Sequence, residues 1–596
     1  MYIAKLSLWN FRKFGIPEYT IDINSPHLEV EFKPIMNVLI GENDSGKTAI
    51  IDAIKYVLKT HAYEKIWITD NDFYEGSSEF RIEIIIKGFT DLEASHFTEW
   101  LSWENVTSNG EMTNLPFLRL IFKAHRRENG IWPSPISAGS TIDGSMLDPD
   151  AREYLKVTYL KPLRDAEDEM TAKKASRLSQ ILSGHDLFRK DQATPHRFEE
   201  IVKTANNDIE NWFIDTAPNT NGKTNKEQIK DIVDGFLKSF ISPSSEANLS
   251  LANPDLKNIL EKISLQIISQ TNPGLGSENR LYMAAELLHL SKDNTLGMRS
   301  CLIEELEAHL HPQAQMKVIE ALEKEENVQF IITTHSPNLA SKINISQDKT
   351  TNVILCKNSK AYSLYPGKTQ LQKKDYWHLQ HFLDVTKSNM FFAKGIMMVE
   401  GWAEAILIPA IARAMGKDLT FSEVSIVNIG STAYIHFAKI YMPTDRVMDM
   451  PVAIITDLDI RPNENGQFST DAENAKRQDI TSKIDTEHYN NIQINIAYQW
   501  TLEWCLFNSP TYREAFMAAV SAVHSDTAEF KKAEGGNWVN ENNFKFKLIK
   551  KLTNKSLKKV AIAYNLANWI TENAVAPLND DPYIEYIVSS INHVCK

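Results

Sequence analysis

The sequence predicts an α/β protein built from more than one domain. A glycine-rich loop at 41–48 stands between an apolar strand-like segment and a helical pattern, and apolar segments in the C-terminal third end in acidic residues. The chain has 596 residues, whereas one hydrophobic core rarely grows beyond about 250 to 300 residues. We therefore expect at least two domains.

Composition and charge exclude several classes of protein. The formal net charge of −13 argues against coating of nucleic acid through an overall positive field, although seven lysines cluster at 545–559. No apolar stretch approaches the roughly 18 residues that span a bilayer, and the N-terminus lacks the pattern of a signal peptide. We expect a cytoplasmic protein without membrane contact. Its four scattered cysteines show no metal-ligand spacing and are expected to be reduced thiols.

The loop GENDSGKT at 41–48 has the spacing of a phosphate-binding loop. It follows an apolar segment at 36–40 and precedes a helical stripe of apolar residues that begins at Ile50. Backbone N–H groups of such a loop cradle phosphate oxygens, its lysine reaches the outer phosphates, and its threonine ligates Mg²⁺. The loop therefore predicts ATP binding through Gly41, Asn43, Ser45, Gly46, Lys47 and Thr48.

Two later strand-like segments carry the residues that ATP hydrolysis needs. The segment 300–303 ends in an acid pair, of which Glu304 is predicted to hold the metal ion and Glu305 to act as the base for water. The apolar segment 328–334 delivers His335, which is placed to sense the γ-phosphate.

These motifs together resemble a known class of ATPase. GENDSGKT, EELEAHLHP at 304–312, TTHSP at 333–337 and the opening LSLWNFR at 6–12 are similar to the ABC-type ATPase domain of RecF-like, SMC-like and OLD-family proteins. The resemblance implies that two ATPase domains sandwich ATP, and hence a homodimer or higher homo-oligomer. A signature segment is expected at 274–280, with Ser277 at the nucleotide and a helix following from Leu281.

The chain departs from the usual pattern of this class at several positions. The signature segment differs from LSGGQ, Leu306 stands where a proline often follows the acid pair, and no glutamine is placed for the Q-loop. These departures leave open whether ATP is hydrolysed rapidly or serves as a sensed ligand.

Acidic residues follow two apolar segments in the C-terminal third. Glu400 follows the segment 395–399 and Glu404 lies four residues further, while Asp457 and Asp459 follow the segment 451–456. Carboxylates at neighbouring strand ends form a site for hard cations such as Mg²⁺ or Mn²⁺, and alternation along a strand would put both aspartates on one face. Two such ions about 4 Å apart activate water and hold the leaving oxygen in phosphodiester hydrolysis.

This acidic pattern resembles the Toprim domain in its OLD-family form. The matching segments are MMVEGWAEAILIPAIA at 397–412, VNIGS at 427–431 and IITDLD at 454–459. The resemblance implies that Glu503, within WTLEW at 500–504, is a second-metal ligand, and that Lys559 is a cation for the transition state. Trp402 and Ser431 differ from the residues common in the family, but neither change removes a ligand.

The two resemblances together predict the order of domains. We expect a split ATPase domain at 1–165 and 249–365, a helical insertion at 166–248 that supports dimerisation, a linker at 366–390 and a Toprim nuclease domain at 391–596. ATPase followed by Toprim is the OLD arrangement. Families of this kind include effectors of anti-phage systems of the Gabija and retron-associated types, so the resemblance also implies a defence role and a protein or retron RNA–DNA partner.

Three functions are compatible with these features. The first is a nucleotide-regulated, metal-dependent DNA endonuclease. The second is a RecF-like DNA-binding repair or scaffold protein in which the Toprim acids only hold structure, and metal-dependent cleavage distinguishes it from the first. The third is topoisomerase or primase chemistry, for which the sequence shows neither a segment that marks a DNA-attacking tyrosine nor nucleotide-polymerisation parts.

Overall fold

A computed structural model describes most of the chain. Residues outside the description are 62–66, 109–110, 163–168, 175, 184, 189–193, 217–221, 243, 252–254, 269–273, 291–296, 344–350, 464–465, 533–537, 539 and 596. No helix among the described residues is both long and apolar enough to cross a membrane.

The described strands, in chain order, are β1 Tyr2–Trp9, β2 Leu28–Glu31, β3 Met36–Ile40, β4 Glu79–Lys87, β5 Leu101–Ser108, β6 Glu111–Arg127, β7 Gly130–Pro133, β8 Ser137–Ala138, β9 Ser145–Met146, β10 Thr158–Leu160, β11 Ser300–Ile303, β12 Gln329–Thr334, β13 Asn352–Lys357, β14 Lys360–Ser363, β15 Gly395–Val399, β16 Val424–Asn428, β17 Val452–Thr456 and β18 Ile492–Ile496.

The described α-helices, in chain order, are α1 Lys47–Leu58, α2 Asp91–Ser95, α3 Pro149–Glu153, α4 Arg177–Ser183, α5 Arg197–Ile214, α6 Asn225–Phe240, α7 Leu256–Leu260, α8 Leu275–Leu290, α9 Pro312–Leu322, α10 Pro337–Ala340, α11 Lys373–Phe382, α12 Val385–Ser388, α13 Trp402–Ala414, α14 Tyr434–Ala438, α15 Thr470–Thr481, α16 Leu502–Asn508, α17 Arg513–Val523, α18 Glu541–Thr553, α19 Lys559–Asn573 and α20 Glu585–Val594. Short 3₁₀ helices span Asp70–Asp72, Asp186–Phe188, Asn389–Phe391, Lys439–Tyr441 and Ala528–Phe530.

A six-stranded sheet carries the phosphate-binding loop. Its order is β10-β11-β12-β3-β13-β14, and its strands are parallel except β14. The central strands are buried along their whole length, as expected when both faces of a parallel sheet are covered. Because parallel strands end at the same edge, the loop after β3, the acid pair after β11 and His335 after β12 lie side by side.

An antiparallel eight-stranded sheet covers helix α1 on its other side. Its main order is β2-β1-β4-β6-β8-β9, with β5 and β7 also paired to β6. Leu6 and Ile82 of this sheet share a buried cluster with Ile50 and Ile54 of α1. The helix after the phosphate-binding loop is thus fixed between two sheets.

The C-terminal part contains a four-stranded parallel sheet of order β16-β15-β17-β18. The central strands β15 and β17 are fully buried. Leu407 of α13 and Ile591 of α20 belong to the buried cluster that packs on this sheet. Ligands of such sheets bind beyond the carboxyl ends of the strands, which is where Glu400 and Asp457 stand.

One hydrophobic core joins the two parallel sheets. Val38 and Leu355 of the first sheet share a buried cluster with Ile396 and Ile454 of the second. The segment predicted as a linker, 366–390, contains helix α11, whose Tyr376 and Leu379 are buried in the same cluster.

The described part of the predicted insertion is helical. Helices α5 and α6 pack on each other, and Thr224 caps α6 by accepting a hydrogen bond from the backbone of Glu227. Ile232, Phe236 and Phe240 of α6 are 60%, 59% and 77% exposed. These three side chains form an exposed apolar face on α6.

Candidate functional site

The phosphate-binding loop is closed around the Lys47 side chain. Its Nζ donates to the carbonyls of Gly41 and Glu42, at 2.8 and 2.6 Å, and to Ser45 Oγ at 3.2 Å. A Cβ at Gly41 would lie 2.4 Å from the Cys356 carbonyl oxygen, so this position accepts only glycine. Burial lowers the pKa of Lys47, and nearby carboxylates only partly oppose that effect.

The remaining predicted loop residues surround this ammonium group. Gly46 adopts φ 100° directly before α1 begins, in the left-handed region that favours glycine. Asn43 and Thr48 are exposed to solvent, and Thr48 is close enough to Glu304 to lower the pKa of its carboxyl, against the larger raising effect of burial. The predicted Mg²⁺-side threonine and acid are therefore neighbours.

The acid pair after β11 is held in two different ways. Glu304 is 3% exposed, burial raises its pKa, and its Oε2 accepts a hydrogen bond from the Tyr159 hydroxyl at 2.5 Å. Glu305 has φ 45°, and its backbone N–H donates to Thr333 Oγ1 at 3.1 Å. The positive φ at Glu305 turns the chain directly after Glu304.

Sequence reasoning missed Glu307, which positions the predicted sensor. Its Oε1 accepts from the backbone N–H of His335 at 2.7 Å and from Thr334 Oγ1 at 2.9 Å, and it lies 3.3 Å from His335 Nδ1. Its Oε2 is buried without a hydrogen-bond partner among the described residues. The signal was present in EELEAHLHP, where Glu307 stands three residues after Glu304.

The predicted signature segment is helical from its second residue. Helix α8 begins at Leu275, not at Leu281 as predicted, because 275–280 already continue the same helical turns. Ser277 Oγ accepts from Arg280 Nη2 at 3.1 Å. A Cβ at Gly276 would lie 2.8 Å from the His309 carbonyl oxygen, so this segment packs directly on the loop that follows the acid pair.

Glu400 and Asp457 meet at the carboxyl edge of the four-stranded sheet. Glu400 Oε1 accepts from the backbone N–H of Asp457 at 3.3 Å and from the Thr456 hydroxyl. Asp457 Oδ1 accepts from the backbone N–H of Leu502 at 2.9 Å. These bonds connect β15, β17 and the start of α16 around one point.

Glu404 lies beside this point on the first turn of α13. A Cβ at Gly401 would lie 3.1 Å from Glu404 Oε2, closer than side chains normally tolerate. The glycine after Glu400 therefore leaves room for the Glu404 carboxylate.

Asp459 has a different backbone from the one that the sequence suggests. Strand β17 ends at Thr456, and Asp459 adopts φ 57°, so the alternation argument that places Asp459 and Asp457 on one face does not apply. The Asp459 N–H donates to the Trp500 carbonyl at 2.8 Å, and its side chain is exposed. Burial raises the pKa of Glu400, and the negative charge of Asp459 raises it further.

Glu503 and Lys559, which were predicted from resemblance alone, form an ion pair at the same edge. Lys559 Nζ lies 2.8 Å from Glu503 Oε2. Glu503 is 3% exposed, and its Oε1 is buried without a hydrogen-bond partner among the described residues. Although burial lowers the pKa of Lys559, Glu503 and Asp457 raise it above its ordinary value.

The carboxyl groups of this edge repel one another. Burial and then the charge of Glu503 raise the pKa of Glu404 to about 7, and burial with Glu503 and Glu404 raises that of Asp457 well above its usual range. Crowded carboxylates with an unpartnered buried oxygen are the donor set that a hard divalent cation stabilises.

The carboxylates of the acidic edge are not arranged around one ion in this structure. In the described part of the chain, no three His, Cys, Asp or Glu side chains converge in metal-ligating geometry. Glu400 is turned towards Thr456 and Glu503 towards Lys559. The residue types fit Mg²⁺ or Mn²⁺, and ion binding requires these carboxylates to rotate.

The comparisons with known families identify both domains. Residues 1–340 match the AAA ATPase domain model, and residues 391–459 match the model of the Toprim domain of overcoming lysogenization defect protein-like proteins. The chain belongs to the OLD family of ATPase–Toprim nucleases. The predicted fold class, an α/β ATPase domain followed by a Toprim domain, is confirmed.

The chain is similar, at low identity, to several nucleases and ATPases. Endonuclease GajA of Bacillus cereus (strain HuB5-5) is 22% identical, over 100% of this chain and 99% of the relative. The OLD nuclease of Thermus scotoductus is 22% identical over 77% of this chain and 84% of the relative. The retron Ec83 probable ATPase of Escherichia coli is 24% identical over 61% of this chain and 73% of the relative.

The raised pKa of Glu404 predicts that metal ions stabilise this OLD-family chain more at high pH. The carboxyl, which faces Glu503, Glu400 and Lys559, titrates near 4.5 when unfolded and at about 7 when folded. The protonated Glu404 carboxyl therefore contributes fully to the free energy of unfolding below pH 4.5, the unfolded pKa. This contribution, about 3 kcal/mol, is lost as the pH rises through the folded pKa of about 7. Mg²⁺ or Mn²⁺ bound by the deprotonated groups offsets this loss.

Thermal unfolding with and without the ion, at about pH 5.5 and about pH 8, measures the effect. We expect a larger rise in Tm at the higher pH, and a smaller difference between the two pH values in Glu404→Gln. A rise of equal size at both pH values in the wild-type chain would contradict the assignment.

Proposed function

We propose that the protein is a nucleotide-regulated, divalent-metal-dependent DNA endonuclease that acts at the acidic edge of its Toprim domain. One observation carries this proposal: Glu400, Glu404, Asp457 and Glu503 lie with Lys559 at the carboxyl ends of parallel strands. Relatives named endonuclease and nuclease support the same activity.

The carboxylates would hold Mg²⁺ or Mn²⁺, two ions in the full site, with Asp459 added from the solvent side. Bound there, such ions supply a nucleophilic water and stabilise the leaving oxygen of a phosphodiester. Lys559 stays protonated because its carboxylate neighbours raise its pKa. Its ammonium group therefore opposes the negative charge that develops on the phosphate.

The lysine-rich helix α18 supplies the local positive surface that DNA binding requires. The chain as a whole is acidic, so phosphate contacts must come from a patch. Lys545 Nζ lies 5.7 Å from the ring centre of Trp504, which follows Glu503 on α16. The patch thus begins beside the acidic edge and continues through Lys550 and Lys551.

Regulation by ATP follows from a buried contact between the two domains. Lys357 is 1% exposed, and its Nζ donates to Glu42 Oε1 in the phosphate-binding loop at 2.9 Å and to the Ala393 carbonyl at 2.7 Å. Ala393 precedes β15, which leads to Glu400. A nucleotide that rearranges the phosphate-binding loop would move Glu42 and thereby change the position of Lys357 relative to Ala393.

Assembly into a homodimer or a higher homo-oligomer is supported by the apolar face of α6. A second chain that covers Ile232 and Phe236 would remove exposed apolar surface from water. In the ATPase class that the chain resembles, Ser277 would act on the nucleotide of the partner. We also propose that this assembly serves an anti-phage defence system, with a protein or retron RNA–DNA as its partner, and the retron relative supports this role.

The acidic edge is expected to cut DNA. Purified protein with Mg²⁺ or Mn²⁺ should nick supercoiled plasmid, and Glu400→Gln and Asp457→Asn should slow nicking on the order of a hundredfold or more, since each removes a charged ligand. Glu423→Gln is the matched control, because this exposed carboxylate pairs with Lys394 at the amino end of the same sheet. If both acidic variants cut like the wild type, the site is wrongly assigned. If the wild-type protein never cuts DNA, the RecF-like function of a DNA-binding repair or scaffold protein is favoured instead.

Lys357 is expected to transmit the state of the ATP site. Lys47→Ala should weaken ATP binding on the order of tenfold or more, because charge-assisted hydrogen bonds contribute about 1.5 to 3 kcal/mol each. Lys357→Met should keep ATP affinity but make the nicking rate independent of ATP. Nucleotide titration and nicking with and without ATP separate these effects, and the exposed Lys360→Met on the same hairpin controls for lysine loss. A full ATP response in Lys357→Met would refute the coupling.

The apolar face of α6 is expected to form a contact between chains. Ile232→Asp with Phe236→Asp should weaken dimerisation about a hundredfold or more, because each buried side chain contributes about 1.5 to 3 kcal/mol. Light scattering after size exclusion at several protein concentrations measures the shift. Lys226→Glu, an exposed change on the same helix, should leave the mass unchanged. Unaltered mass in the double variant would place the interface elsewhere.

A further inference from the structure

A polar cavity of about 530 Å³ lies behind the acidic edge. Helix α15 forms one wall and helix α20 another, and β18 with the segment that follows it forms the floor. None of the metal-ligand candidates lines it. The cavity is therefore a separate feature of the Toprim domain.

Three polar groups in its wall have no partner. Asn495 Nδ2, the Tyr586 hydroxyl and Glu473 Oε1 are buried without a hydrogen bond among the described residues. Asn495 and Tyr586 are each 7% exposed. Native proteins satisfy nearly all buried polar groups. Asn495 and Glu473 would meet this requirement through a ligand that draws their side chains into the cavity, whereas the Tyr586 hydroxyl lies near Cys505 and the carboxyls of the acidic edge.

The cavity and the acidic edge share one stretch of backbone. The Ala497 N–H donates to the Thr456 carbonyl at 2.9 Å, and the Asp459 N–H donates to the Trp500 carbonyl at 2.8 Å. Tyr498 and Gln499, which lie between these two bonds, line the cavity. A ligand there lies one strand away from Asp457, and neighbouring strands are about 4.8 Å apart.

The lining favours a neutral ring with hydrogen-bonding edges over a phosphate. Glu473 and Glu585 bring two carboxyl groups, whereas Arg477 brings one guanidinium, and its Nη2 already donates to the Ala497 carbonyl at 3.0 Å. An amide and a carboxyl are the side chains that pair with base edges. Tyr498 is 46% exposed and offers a ring for stacking.

We propose that this cavity binds a nucleobase, supplied by a nucleotide unstacked from the DNA strand that lies on the acidic edge. The inference rests on the proposed nuclease function for the source of the base. Asn495 and Glu473 read the edge of the base and Tyr498 stacks on its face, while the adjoining phosphate stays outside with Lys559. The cavity thereby makes cutting depend on the base beside the cut.

Photo-cross-linking tests this site without requiring cleavage. Full-length Glu400→Gln protein is irradiated with oligonucleotides that carry 8-bromo-deoxyadenosine or 5-iodo-deoxycytidine, and in a parallel arm with the free nucleotides. Peptide mapping should find adducts on Tyr498 or Tyr586. Adducts from free nucleotides alone would assign the cavity to a free nucleotide and overturn the DNA source. No adduct at either tyrosine from any probe would show a cavity that holds only water.

Variants separate this inference from the nuclease proposal. Asn495→Leu and Glu473→Gln should each lower the adduct yield about tenfold, and in otherwise wild-type protein they should broaden the choice of cut sites. Two separate substitutions keep the test valid if one variant fails to fold. As a control, Gln478→Ala, at an exposed position of the same helix α15, should change neither the adduct yield nor the choice of cut sites. Adducts in a protein that never cuts DNA would contradict the nuclease proposal alone. Cutting without adducts would contradict the proposal that the cavity binds a nucleobase.

Discussion

Crowding of carboxylates at the end of a parallel sheet is the constraint on which the Toprim domain depends. Glu400, Glu404, Asp457 and Glu503 come from separate elements, yet parallel strands deliver them to one edge. Lys559 neutralises part of this charge through Glu503. The remainder must be offset by hydrogen bonds, protons or cations, because like charges held in a buried site are costly.

The local backbone is shaped to meet that requirement. Trp500 adopts φ 43°, which turns the chain so that the N–H of Leu502 reaches Asp457 Oδ1 at 2.9 Å. The N–H of Asp457 in turn reaches Glu400. The carboxylates of Glu400 and Asp457 are thus each held by a backbone N–H group. Tyr498 and Gln499, just before this turn, belong to the floor of the polar cavity.

Sequence reasoning found what short motifs encode and missed what tertiary contacts decide. GENDSGKT and the acids after β15 and β17 are local patterns, so the strands and the residues that follow them could be predicted from the sequence. The turn at Asp459 could not, because a non-glycine residue enters the left-handed region when its surroundings compensate. Glu307 stands in a recognisable motif, but its contact with His335, 28 residues away, is a tertiary contact that the motif does not reveal.

Lys357 illustrates the same limit, and the proposed regulation by nucleotide depends on it. A lone lysine at a strand end reads as a surface residue, yet this one is buried where the hydrophobic core joins both sheets. Losing either acceptor would leave its ammonium group buried and incompletely paired, which is strongly unfavourable. The proposed regulation therefore depends on both hydrogen bonds of Lys357.

Coupling through such a contact must act in both directions. If ATP at Lys47 alters the position of Glu42, Lys357 carries the change to Ala393 and along the rigid strand β15 to Glu400. By linkage, any cation or DNA that settles at Glu400 changes the affinity for ATP by the same factor. The phosphate-binding loop in this architecture is then as much a reporter of the acidic edge as its regulator, which makes ATP a sensed ligand even where its hydrolysis is slow.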